Sequence, residues 1–218
     1  MATTLDLKSL EKKAFRSMHQ DGLLDINMGG TVASFAVLEY HQASEAFPLM
    51  QFSLFLAGLL ASTIIFWVGK KFITVPRLGQ VKFGPQRQRR ARTLMMVLSG
   101  IVLLQVLIFI GTTVLWHNPQ WAAKIGFGQA TGDLGRLTVA IVGALFVGPS
   151  LTLVAFFTDF LRGYYIAFII SLGVFSLIWF DNPIYMIAAG LIVIIPGVIL
   201  FIRFLRQYPL PPVAVTHD

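Results

Sequence analysis

Apolar residues run along this chain in six long blocks separated by short polar stretches. A helix needs about 20 mostly apolar residues to cross the hydrocarbon core of a bilayer, with roughly 17 to 25 in practice. Residues 22–38, 48–68, 93–116, 137–157, 164–180 and 184–202 meet that requirement. The last five contain no Asp, Glu, Lys or Arg, whereas the first is short and carries Asp25 and Asn27. Together the blocks use 119 of the 218 residues, and no remaining piece exceeds about 25 residues, too few for a separate soluble domain. The pattern predicts an all-α polytopic membrane protein. Its parts are a cytoplasmic segment 1–21, a six-helix transmembrane domain 22–205 with a basic cytoplasmic loop 69–92, and a proline-rich cytoplasmic tail 206–218.

Composition agrees. Hydrophobic side chains make up 56% of the chain and charged ones 12%, with a mean hydropathy of +0.75. A soluble domain carries about 25% charged residues, so this chain cannot coat itself against water. A disordered chain, a disulfide scaffold (there is no cysteine) and a basic soluble nucleic-acid module are excluded.

The cations orient the spans. With the N-terminus inside, 15 of the 17 Lys and Arg residues fall on the inner side, and only Lys124 and Arg136 fall outside. Because inner segments are enriched in Lys and Arg, both termini are expected in the cytoplasm of a bacterial-type inner membrane. Tyr40, Trp116, Trp121, Trp179 and Tyr185 fall near outer ends, and Trp67, Tyr164, Tyr165 and Tyr208 near inner ends. That is the interfacial placement Trp and Tyr favour. The first block is not expected to be a cleaved signal peptide, since about 20 polar and amphipathic residues precede it and Asp25 interrupts it.

Leu7, Leu10, Ala14 and Met18 recur at helical spacing among Lys8, Lys12, Lys13 and Arg16. They predict an N-terminal amphipathic helix. It either lies in the inner headgroup layer as an interfacial helix or packs on the ends of the bundle. The loop 69–92 holds eight cations and no acid. Short β-branched runs around Pro76 and Gly79 suggest a small strand–turn–strand over Ile73–Gly84. Arg87, Arg89, Arg90 and Arg92 follow within eight residues. Topology alone accounts for most of this charge. Beyond topology, anionic lipid or a membrane-protein partner is the contact these arginines would make, and nucleic acid is not expected. The turns TDFLRG and DNP are so short that the last three spans should be antiparallel neighbours.

The chain has no HExxH, GxSxG or phosphate-loop motif and no cysteine. Its four histidines are scattered, without a partner at i+3 or i+4. No catalytic residue, metal site or cofactor is predicted. Polar groups within a span carry a default suspicion of function because their burial in lipid is costly. Asp21 and Asp25, four residues apart, should share a helix face at the inner end of the first span. Small residues recur at every fourth position, as Gly30/Ser34 in the first span and Gly58/Ser62 in the second, predicting that these two spans pack as a hairpin. The hairpin would bring Arg77, Lys82 or Arg16 to the two carboxylates, and a clamp on the inner loop is the role expected of such a cluster. Pro149 and Pro196 stand about 13 residues into two spans of like direction and are candidate kinks. Paired interruptions of this sort can mark a transporter.

Phe15, Arg16, Ser17, Gln20, Asp21, Gly22, Asp25 and Ile26, followed by Pro76, Arg77, Gly79, Val81, Lys82 and Phe83, form QDGLxDI-like and PRxGxVKF patterns. In these the chain resembles an uncharacterised family of small bacterial multi-pass inner-membrane proteins, over about a quarter of its length. The resemblance implies a bacterial inner-membrane setting and no activity. The function expected is that of a membrane-embedded binding, scaffolding or accessory subunit, alone with lipid, with a membrane-protein partner or as a homo-oligomer. A small-solute or lipid transporter is the alternative, and an intramembrane enzyme stands behind both.

Overall fold

The structure is a computed structural model of the whole chain, and it describes residues 20–38, 48–78, 85–118, 120 and 132–209. Among these residues the secondary structure is helical throughout, with no strand. In chain order the elements are α1 (Leu23–Leu38), α2 (Pro48–Val68), a π-helix (Gly69–Thr74), α3 (Val75–Leu78), α4 (Pro85–His117), α5 (Asp133–Phe157), α6 (Leu161–Phe180) and α7 (Ile184–Gln207). All six apolar blocks are therefore helices. This is what lipid demands, since a single segment can satisfy all its backbone N–H and C=O groups internally only as a helix.

Five stretches are long and apolar enough to cross a membrane: Met50–Leu78, Arg89–Ile108, Asp133–Phe157, Leu161–Phe180 and Ile184–Gln207. α1 is a shorter apolar helix of 16 residues, about 24 Å at 1.5 Å per residue against a core of about 30 Å. The outward surface is apolar. Phe52, Leu60, Ile64 and Trp67 of α2 and Met95, Met96, Leu103 and Leu107 of α4 are all exposed. Apolar helix surfaces of that kind, in each unit by itself, have no place against water. The chain is a polytopic helical membrane protein.

The inner loop is not the strand–turn–strand its β-branched residues suggested. Residues 73–78 are helical, because α2 runs on through the π-helix into α3. Pro76 lacks an N–H, and its ring collides with the carbonyl four residues back. A wider turn relieves that crowding, and the Val75 N–H accordingly reaches Lys70 O, five residues back. The arginine run is helical as well: α4 starts at Pro85, where a fixed φ suits a first helical position. At 33 residues α4 is about 50 Å long, so its arginine-bearing turns extend beyond the hydrocarbon. Residues 4–19 of the expected amphipathic helix and residues 210–218 of the proline-rich tail lie outside the described residues.

The chain divides into two compact units, Met1–Phe83 with Met186–Asp218, and Gly84–Tyr185. In the first unit α1 is central. On one side it meets α2 as an antiparallel partner: Gly30 touches Ser62, and Gly58 touches Ser34. The Ser62 hydroxyl donates to Asn27 O at 2.8 Å. On another side it meets α7, also antiparallel, with Gly22 on Gly197 and Gly29 on Gly190. α7 buries Met186, Ala189, Gly190, Val193, Gly197 and Phe204 along a single stripe.

In the second unit α5 and α6 form the close antiparallel pair, through Gly143 on Val174 and Ile178, Gly148 on Ser171, and Gly163 on Ala155. The Ser171 hydroxyl donates to Ala144 O at 2.8 Å. The turn between the two helices is a Schellman motif, since Phe160 N–H reaches Ala155 O, Asp159 N–H reaches Phe156 O, and Asp159 has φ 51°. Phe160 then packs into the core. At the far end of α6, Asp181 takes the left-handed conformation, and Asn182 Oδ1 accepts from Ile184 N–H at 2.9 Å. That asparagine caps the start of α7, with Pro183 in the turn just before its first residue.

Candidate functional site

The most polar point of the first unit is Asp21, which has no solvent exposure. Its Oδ2 accepts from Lys70 Nζ at 2.7 Å and from Thr74 Oγ1 at 2.6 Å, while Oδ1 accepts from the Leu23 N–H at 3.3 Å. Thr74 is buried too, and the Lys70 side chain is 19% exposed. Three donors thus converge on one carboxylate.

Each is placed by a local rule. Gly22, at φ +75°, lets the chain turn sharply before α1 begins at Leu23. Asp21 is thereby set at the N-terminus of α1, where a negative charge meets the positive end of the helix dipole and a free N–H. Lys70 and Thr74 both belong to the π-helix, one turn apart. The π-helix can approach because its first residue is Gly69, whose added Cβ would stand 2.8 Å from both Leu23 methyl groups. π-helical turns are rare and often lie at functional sites. Here the wide turn faces the single fully buried carboxylate described in the first unit.

The sequence placed Asp21 and Asp25 on one face, and the structure separates them. The i, i+4 relation holds only within a helix, and Gly22 breaks the helix between them. Asp21 turns to the π-helix, whereas Asp25, also buried, packs its Cβ against Gly197 of α7. Of the expected cations, Arg16 and Lys82 lie outside the described residues. Arg77 donates its Nη1 to Ile73 O at 2.9 Å. The cation that pairs with Asp21 is Lys70, which sequence reasoning missed together with Thr74. A signal for them was present. Sliding the antiparallel register nine residues from the Gly30–Ser62 contact carries Asp21 to position 71, beside Lys70.

The other expected residues are dispersed. The Arg87 side chain is not among those described, while Arg89, Arg90 and Arg92 are exposed on the first turns of α4. Arg90 Nη1 lies 3.7 Å from Asp159 Oδ2, an ion pair exposed enough to contribute little. Pro149 and Pro196 sit inside the uninterrupted helices α5 and α7. Beside Pro149, Ser150 donates to Phe146 O at 2.6 Å and Ser171 to Ala144 O, so hydroxyls serve the carbonyls around the proline. Among the described residues no three His, Asp or Glu side chains gather in a group able to hold a metal ion.

No protein-family model, curated protein or solved structure matches this chain.

Proposed function

We propose that the protein is a membrane-embedded binding, scaffolding or accessory subunit of the bacterial inner membrane, with both termini cytoplasmic and its basic side against anionic lipid. One observation carries this reading. Polar side chains at the helix contacts bond to helix backbones and to one another: Ser62 to Asn27 O, Ser171 to Ala144 O, and Asp21 to Lys70 and Thr74. Their chemistry is directed at holding helices together, which leaves the apolar exterior as the surface for lipid and for other membrane proteins. The QDGLxDI and PRxGxVKF patterns support the bacterial setting.

Purification in mild detergent tests the reading. A membrane-protein partner, or a second copy of the chain, is expected to co-purify in fixed ratio. A lone chain that moves a solute across proteoliposome membranes would overturn the proposal and install the transporter reading. Orientation has its own test, a reporter fused near Lys82. It is expected to report a cytoplasmic position, because the basic segment between α2 and α4 should be retained inside. A periplasmic signal there would reverse the topology.

A further inference from the structure

The first unit has one basic end, and the contacts of Asp21 locate it. Asp21 meets Lys70 and Thr74, while Gly22 beside it meets Gly197 and Leu200, so α2 and α7 pass this level running in the same direction. Beyond that level the π-helix leads into α3 with Arg77, and α7 continues through Arg203 and Arg206 to Gln207. Lys71 lies at the level itself and is exposed. Lys70 is balanced by Asp21. For Arg77, Arg203 and Arg206 there is no carboxylate within ion-pair distance among the described residues.

Arg77 differs from the other cations. It is half-buried, its Nη1 is tied to Ile73 O at 2.9 Å, and its Nε is enclosed without a hydrogen-bond partner among the described residues. A guanidinium has five N–H groups, and an enclosed donor without an acceptor carries a desolvation cost. The side chain is therefore held in place by its Nη1 bond, its enclosed Nε is out of a ligand's reach, and its terminal N–H groups have no other partner among the described residues. Trp67 of α2 and Tyr208 at the end of α7 are exposed in the same unit, and Trp and Tyr favour the membrane–water interface.

We infer that Arg77 is the receptor for the phosphate of an anionic phospholipid at the basic end of the first unit, with Lys71 adding charge at the same end. A phosphodiester presents two oxygens to the planar fork of a guanidinium, a match that the point charge of lysine cannot reproduce. The proposal rests on the reading of this side as the lipid-facing basic side and names the residue and the headgroup chemistry. It is also distinct from the exposed arginines of α4, which nothing described holds in a fixed orientation apart from the loose Arg90–Asp159 contact.

Native mass spectrometry of the detergent-purified full chain tests it, using short-chain phosphatidylglycerol, short-chain phosphatidylcholine and inorganic phosphate as probes. The wild type is expected to retain one phosphatidylglycerol above the phosphatidylcholine background. Arg77→Lys should weaken that retention about tenfold, as loss of one charge-assisted hydrogen bond implies. Arg89→Lys should leave it unchanged. Unaltered retention in Arg77→Lys, or an equal loss in Arg89→Lys, overturns the proposal. So does binding of inorganic phosphate with no preference for phosphatidylglycerol, which would assign Arg77 to a free anion. Arg77→Gln should lose the retention altogether, and if that variant fails to fold, Arg77→Lys still decides, because it keeps the charge. Partner co-purification is read separately, so failure here leaves the proposed function standing.

Discussion

Gly22→Ala is expected to detach α1 from α7 and to destabilise the first unit by about 2 to 5 kcal/mol. Two costs add. Gly22 has φ +75°, a conformation that L side chains rarely adopt, and its added Cβ would collide with the carbonyl oxygen of Gly197. Neither atom can swing aside, since the backbone fixes the position of both. Gly197→Leu attacks the same contact from the other helix, where even a Cβ would stand 2.9 Å from the Cβ of Asp25. Gly100→Ala and Gly111→Ala are the controls, because nothing lies within 4 Å of an added Cβ at either position. They should be neutral or stabilising by up to about 1 kcal/mol through helix propensity. Unfolding of the purified protein by sodium dodecyl sulfate, followed by circular dichroism, measures all four. A Gly22→Ala midpoint equal to that of the wild type would mean that α1 does not rest on α7 as described.

The second large effect belongs to the Asp21–Lys70 pair. Lys70→Met leaves a carboxylate with no solvent exposure and no counter-charge, and removal of one partner of a buried pair costs about 3 to 5 kcal/mol. Asp21→Asn should cost less. Lys70 without this carboxylate still lies over the Phe66 ring, and, being 19% exposed, it can extend its ammonium toward the headgroups. Replacing both, as Asp21→Leu with Lys70→Met, should recover most of the loss, because an apolar pair needs no mutual compensation. Thr74→Val removes a hydroxyl that donates to the same oxygen and is expected to cost about 1 to 3 kcal/mol. The same denaturation assay on Lys70→Met, on Asp21→Leu alone and on the double gives the coupling energy. Strictly additive losses would show that the two side chains do not act as a pair.

These two predictions fall on contacts of unequal legibility. The α1–α2 hairpin could be read from Gly30/Ser34 and Gly58/Ser62, and Ser62 does reach Asn27 O across that interface. The α5–α6 pair could be read from the shortness of its turn, which leaves the helices no room to separate. The lysine that closes on Asp21 was harder to find. Ending the second span at Val68 removed Lys70 from consideration as a helix neighbour, and reading Ile73–Gly84 as strand and turn removed Thr74, although the hairpin register pointed to position 71. Pro76 misled in the same way, since it marks a widened helical turn here and not an end to the helix.

The sequence by itself determined the class of protein, the number of apolar helices and, within a few residues, most of their ends. That information is local. A helix in lipid must satisfy its own backbone, so an apolar block of sufficient length has one structural outcome. Three features came only from the tertiary structure. Asp21 and Asp25 part company because a single glycine, at φ +75°, ends the helical register between them. The π-helix presents Lys70 and Thr74 together because the chain must relieve Pro76 while Gly69 seats Leu23. The last helix returns to the first through Gly22 and Gly29 against Gly197 and Gly190. Those glycines are about 170 positions apart in sequence, with no turn to align them. Small residues at such spacings occur on several spans, and only complementary packing selects which two meet.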